Sequence, residues 1–129
     1  MNGFTVKELS EVVEGELYGQ FDTEKIVNDF EFAAKELKSK KHTSRLCFIS
    51  ISRKRWNEEN KVKTNWPDVN EVLLSLSTYN GVVITEEPIK ELKDIVPQIV
   101  VENSFKVMPK IALAARDKMD NPVIAITGS

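Results

Sequence analysis

The chain contains one cysteine and one histidine in 129 residues. A lone Cys47 has no partner within the chain, which excludes a disulfide-stapled fold and points to a reducing compartment. Its setting, Leu46-Cys47-Phe48-Ile49-Ser50-Ile51, is that of an inert core residue. His42 has no cysteine, second histidine or carboxylate at ligand spacing, so neither a metal site nor a Ser-His-Asp or Cys-His set can be assembled around it. No apolar run approaches about 18 residues, and Met1-Asn2-Gly3-Phe4 lacks the basic and apolar regions of a secretory signal; the expectation is a cytoplasmic protein that does not span a membrane. Internal repeats and low-complexity segments are also missing.

Charge of one sign is missing overall but not locally. The net charge of −2 argues against a general nucleic-acid binder. Residues 35–63 nevertheless carry ten Lys and Arg against three Glu, a local +7, while the remainder carries −9. Lys38, Lys40, Lys41, Arg45, Arg53, Lys54 and Arg55, with Trp56 as an aromatic to stack on a base, read either as an anion site or as a solvated loop. Glu58-Glu59 and Glu86-Glu87 are adjacent pairs whose side chains diverge on an extended chain, so neither makes an acid/base couple.

What remains is an ordinary globular pattern, 41% hydrophobic and 29% charged, long enough for one domain. Thr5 and Glu8 form a capping box, Val6, Leu9, Val12 and Val13 share one helical face, and Gly15 supplies the left-handed residue that ends the helix. Strands are predicted over 16–19, 25–32, 45–51, 82–85, 98–101 and 123–127. Residues 33–41 are ambiguous between helix and loop, and 52–64, polar without a period, read as a long loop. A helix is predicted over 68–79 and a helical turn over 89–94. A third helix, capped by Ser104, runs to about residue 119 with Val107, Met108, Ile111, Leu113, Ala114 and Ala115 inward, starting late or bending at Pro109. The fold class is α/β, a small mixed sheet flanked by helices, with parallel pairs among the Val/Ile-rich strands.

The chain closes on an apolar β-branched run leading to Thr127-Gly128-Ser129. A strand followed by a small-residue turn is how a phosphate loop begins, because glycine lets backbone N–H groups approach phosphate oxygens. The full pattern, G-x-x-x-x-G-K-[ST], needs a second glycine, a lysine and a hydroxyl residue after Ser129.

Several stretches together resemble the Mur ligase family. They are Val-Pro-Gln-Ile-Val-Val-Glu-Asn-Ser at 96–104, the Ala-Leu-Ala-Ala-Arg-Asp helix end at 112–117, Asn-Pro-Val-Ile-Ala-Ile-Thr-Gly-Ser at 121–129, and Asn-Gly-Val-Val-Ile-Thr-Glu-Glu-Pro at 80–88. The resemblance implies that residues 1–121 form an N-terminal substrate-recognition domain, and that residues 122–129 are the first strand and loop start of a further ATP-binding domain. It implies ATP and Mg as cofactors of the full-length parent, none for this fragment, and a chain that is inactive alone and has no catalytic residues of its own. Expected partners are a nucleotide-sugar or other anionic small molecule and the rest of the parent chain, with no nucleic acid and no membrane.

An ungapped placement puts the family's D-S-R-K motif on residues 38–41, where Ser39 is kept, Lys40 stands for the arginine, Lys41 follows, and the aspartate is replaced by Lys38; Asp29-Phe30-Glu31 is another placement, which needs a longer insertion and recovers neither Ser nor Arg. Ser39, Lys40, Lys41 and Arg45 are thereby the expected substrate or nucleotide contacts, and Thr127, Gly128 and Ser129 the ATP phosphate contacts. The family's G-x-R-x-D-G-H-D is replaced by residues 52–68, which implies a divergent substrate. The alternative from another class is a free-standing, non-catalytic α/β binding or interaction module that kept the fold.

Overall fold

The computed structural model describes residues 3–19, 23–32, 45–63, 81–118 and 123–124. The readings that fall on 33–44, 64–80 and 125–129 lie outside the described residues. These include the helix expected over 68–79 and the sites Ser39, Lys40, Lys41, Thr127, Gly128 and Ser129.

A short strand β1 (Phe4–Thr5) runs into α1 (Val6–Val12), whose capping box forms as expected: Glu8 N–H donates to Thr5 Oγ1 at 3.0 Å, and Thr5 N–H donates to Glu8 Oε1 at 3.1 Å. Val6 and Leu9 are fully buried. The helix ends differently from the sequence expectation. Glu14, not Gly15, takes the left-handed conformation, at φ 57°. Gly15 N–H donates to Ser10 O at 2.8 Å and Glu14 N–H to Glu11 O at 3.2 Å, the two bonds of a Schellman motif. Gly15 is required for a different reason: a Cβ there would lie 2.6 Å from Ile99 Cγ2 and 2.8 Å from Val100 O.

The main sheet has six strands: β2 (Glu16–Tyr18), β4 (Asp29–Glu31), β5 (Leu46–Ile49), β6 (Val82–Thr85), β7 (Gln98–Val100) and β8 (Val123–Ile124), in the order β2-β7-β6-β5-β4-β8. Only β2 is antiparallel to its neighbour; the pairs from β7 through β8 are parallel. β3 (Ile26–Val27) pairs antiparallel with β1 in a separate ribbon. The single strand expected over 25–32 is thus two, divided at Asn28, whose N–H turns to the Arg45 carbonyl at 3.1 Å. The coarse fold class, a mixed sheet flanked by helices, is the one observed.

Every residue of β5 and β6 is buried, as expected of central parallel strands covered on both faces. One face carries Cys47, Ile49, Val82, Ile84 and Ile99 in a core shared with α1 and with the helix α3 (Val107–Lys118). Val107, Ile111 and Ala115 project from α3 into that core at four-residue spacing. Leu113 was expected to face inward but is 60% exposed, being two residues off that stripe. A turn of 3-10 helix, Ser104–Lys106, precedes α3, so Pro109 falls in its first turn, where a missing N–H breaks no helical bond. Among the described residues no helix is long and apolar enough to cross a membrane.

The segment expected to be a long loop holds a helix, α2 (Arg53–Asn60). No residue in it is buried, which explains the absence of an apolar period. Ser52 Oγ caps it by accepting from Arg55 N–H at 3.1 Å, and Lys61 closes it in the left-handed conformation at φ 54°. A left-handed non-glycine residue costs roughly 1 kcal/mol. Lys61→Gly is therefore expected to stabilise the fold by about 0.5 kcal/mol after the entropy of the unfolded glycine is subtracted, read as a higher urea midpoint at unchanged m-value.

Candidate functional site

At the carboxyl ends of β5 and β6 the chain opens a cleft of about 300 Å³. Ser50 and Ser52 enter it from the segment after β5, Lys54, Arg55 and Glu58 from α2, and Thr85, Glu86 and Glu87 from the end of β6. Every one of these side chains is polar. The geometry follows from the strands: Ser50 N–H donates to Ile84 O at 2.8 Å, continuing the β5–β6 ladder one residue past β5 and bringing the two exits together. Thr85 Oγ1 donates to Glu87 O at 2.9 Å and fixes the turn that carries both glutamates.

The centre of the cleft wall is Glu86. Arg55 Nε donates to its Oε2 at 2.9 Å and Arg55 Nη2 to its Oε1 at 3.3 Å, a two-pronged pairing across 31 residues of sequence. Glu86 Oε2 also accepts from Ser104 N–H at 2.9 Å and Ser104 Oγ at 2.8 Å. Ser104, expected to cap α3, is instead a ligand of Glu86, and Asn103 caps the 3-10 turn that precedes α3, its Oδ1 accepting from Phe105 N–H at 3.0 Å. Arg55 Nη1 lies 3.7 Å from Glu58 and 3.6 Å from Glu59, and Asn103 Nδ2 donates to Glu59 Oε1 at 3.0 Å. The network bolts α2 to the end of β6 and to the start of α3.

Burial pushes the Glu86 carboxyl up, but the hydrogen bonds from Arg55 and from the Ser104 N–H and hydroxyl together outweigh it and hold the group below its ordinary value. Arg55 is raised, chiefly by its hydrogen bond to Glu86 and against the effect of burial. The pair is ionised across the neutral range. Cys47 is buried between strands and its thiol is pushed up by desolvation, in keeping with an inert core residue.

Of the sites expected from sequence, Arg45 is described. It is exposed at the amino end of β5, its carbonyl accepting from Asn28 N–H at 3.1 Å and Asp29 N–H at 3.3 Å. Five residues of extended chain, about 16 Å, separate it from Ser50, so the structure does not bring it to the cleft. Arg53, Lys54 and Arg55 lie on α2, and Trp56 is not a free stacking platform: its ring stacks 6.5 Å from Phe32 and meets Phe105 edge-on at 5.9 Å, joining the margin of the core. Among the described residues no group of His, Cys, Asp and Glu could hold a metal ion.

The sequence reading missed the cleft itself. Its signal was present, since a hydroxyl residue closes each of two apolar runs, Ser50 after β5 and Thr85 in β6, with charged residues immediately following. No protein-family model matches the chain, and no curated protein matches it.

Proposed function

We propose that this chain is the substrate-recognition domain of an ATP-dependent amide ligase resembling the Mur ligases, acting on a divergent substrate. The observation that carries the reading is the direction of β8. It lies parallel to β4, with Asp29 opposite Val123, so the chain leaves it toward the carboxyl edge of the sheet, the edge on which the polar cleft opens. Ligands of open parallel sheets gather at that edge. A phosphate loop beginning at Thr127-Gly128-Ser129 would follow directly from it, with its backbone N–H groups available to phosphate oxygens.

In such a ligase the γ-phosphoryl group of ATP, with Mg, would pass to a carboxylate oxygen as ADP leaves, and an amine would then attack the acyl phosphate with loss of phosphate. The domain described here would bind and orient the substrate without taking part in the bond changes. Ser39, Lys40, Lys41 and Arg45 are the residues proposed to hold its anionic, nucleotide-sugar part. Lysine at position 40 offers a point charge where the family has the arginine fork, which relaxes the geometry demanded of the diphosphate.

Two measurements test the proposal. UDP-sugars titrated into the chain should bind saturably and weaken at least tenfold in Lys40→Ala or Lys41→Ala; no heat from any of them removes the nucleotide-sugar assignment. The natural reading frame should supply a Gly-Lys-Ser/Thr shortly downstream of Ser129. A frame that closes at Ser129 overturns the ligase and leaves a binding module.

A further inference from the structure

The cleft at the carboxyl ends of β5 and β6 carries both signs of charge, and they are not equally available to a ligand. Arg55 and Glu86 satisfy one another at 2.9 and 3.3 Å, and Ser104 completes Glu86 from behind. Lys54 is exposed and has no ion-pair partner among the described residues. The Glu58 side chain, at the far side of Arg55, is 53% exposed, and Glu87 is exposed on the turn pinned by Thr85. The described side chains sum to −1, with Lys54 the ammonium and Glu87 the carboxylate that carry no ion pair among the described residues.

This arrangement discriminates between ligand classes. A diphosphate would bring two or more negative charges against three carboxylates, with a single uncommitted cation among the described residues to receive them. Among the described residues no aromatic side chain lines the cleft for a nucleobase to stack on, and Trp56 is engaged with Phe32 and Phe105. The floor is hydroxylic: Ser50 and Thr85 line the cleft yet are 3% and 2% exposed, so their side chains are set into the wall rather than waving at its rim. The volume of about 300 Å³ is at the low end for ligand pockets and suits one small molecule.

We infer that the cleft binds a small zwitterion, a molecule with one ammonium and one carboxylate such as a free α-amino acid or a short peptide, its carboxylate on Lys54 and Ser52 and its ammonium on Glu87. The amino end of α2, where Ser52 and Lys54 stand, adds a favourable partial positive charge on the carboxylate side. The inference deepens the reading of this edge as a substrate site and does not depend on the ligase chemistry.

Calorimetry on the purified chain tests it, with glycine, glutamate, lysine and glycylglycine as probes beside their N-acetyl and carboxamide forms, inorganic phosphate and UDP. At least one free zwitterion should bind saturably, and blocking either its amine or its carboxylate should weaken it tenfold or more. Lys54→Ala and Glu87→Gln should each weaken it about tenfold, the loss of one charged hydrogen bond. Both residues are exposed, so the circular dichroism spectrum and urea midpoint should not move. Lys90→Ala, at an exposed lysine outside the cleft, should leave the zwitterion unaffected. Equal binding of the N-acetyl form, displacement of the zwitterion by lower concentrations of phosphate or UDP, or no heat from any zwitterion up to about 10 mM each overturns the inference. Failure of the ligase reading registers elsewhere, in the downstream codons and in UDP-sugar binding at Lys40 and Lys41, and leaves this result standing.

Discussion

Gln98→Leu is expected to destabilise the fold by about 1–3 kcal/mol, through a backbone N–H left unpaired rather than through lost packing. Gln98 opens β7 between β6 and β2 and is fully buried. Its Oε1 accepts from Ile89 N–H at 2.7 Å and its Nε2 donates to Ile89 O at 2.8 Å. The side-chain amide thus imitates a peptide group and gives Ile89, itself only 4% exposed, both the donor and the acceptor that a strand neighbour would have supplied. Leucine fills nearly the same volume, so no cavity opens, yet the buried Ile89 N–H loses its partner at about 1–3 kcal/mol, while the Ile89 carbonyl keeps the Leu92 N–H at 3.0 Å. Set against a typical total of about 5–15 kcal/mol, that loss is large. Urea unfolding should show a lowered midpoint at unchanged slope, and hydrogen exchange at the Ile89 amide should accelerate in the folded state. A loss below about 0.5 kcal/mol would mean that Ile89 finds other partners. Gln98→Glu separates the two bonds. Its carboxylate still accepts from Ile89 N–H but opposes the Ile89 carbonyl, so part of the stability should return on acidification, when one oxygen becomes a donor.

The elements that were legible in the sequence are those whose stabilising interactions are local. The Thr5–Glu8 box spans three residues, and the apolar runs of β5, β6 and β7 declare their burial by composition. What was not legible depends on partners distant in the chain. α2 has no apolar stripe, and its ties are the Ser52 cap at one end and Arg55 reaching across to Glu86, 31 residues on. Glu86 and Glu87 were read only as neighbours, and adjacency hid that Glu86 faces Arg55 and Ser104. Gly15 was read for its backbone freedom when its small size against Ile99 is what the fold uses. The order β2-β7-β6-β5-β4-β8 sets β8 beside β4 across nearly the whole chain, and no local pattern encodes that pairing. The cleft is a product of the same placement: its hydroxyls are readable one strand at a time, their convergence is not.

Glu86→Ala is the second large effect expected, about 1.5–3 kcal/mol at neutral pH, and its pH dependence identifies the cause. The substitution removes the acceptor of four hydrogen bonds, leaving the Ser104 hydroxyl and N–H without a partner at a buried residue and the Arg55 guanidinium facing only Glu58 and Glu59. The figure stays below that of a fully buried pair because the Glu86 and Arg55 side chains keep 22% and 24% of their exposure, and solvent screens the remainder. The folded state holds the Glu86 carboxyl below its ordinary value of 4.5. A depressed folded pKa contributes stability that is fully present above the unfolded value and is lost as pH falls through the folded one. The difference between the native chain and Glu86→Ala should therefore be flat from neutrality down to about pH 5 and shrink below it. Glu86→Gln should lose less, since one amide oxygen still accepts while the amide nitrogen is turned against either Arg55 or Ser104. A difference that persists undiminished well below pH 4 would assign the loss to shape rather than charge. A double-mutant cycle with Arg55→Ala should return a coupling of about 1–2 kcal/mol at neutral pH that fades over the same acid range. Because the same bonds hold α2 against the end of β6, Glu86→Ala should also loosen the wall that presents Lys54 to the cleft. Zwitterion binding at 25 °C, where the variant remains folded, should then weaken although Glu86 is assigned no contact with the ligand, which marks it as a positioning residue.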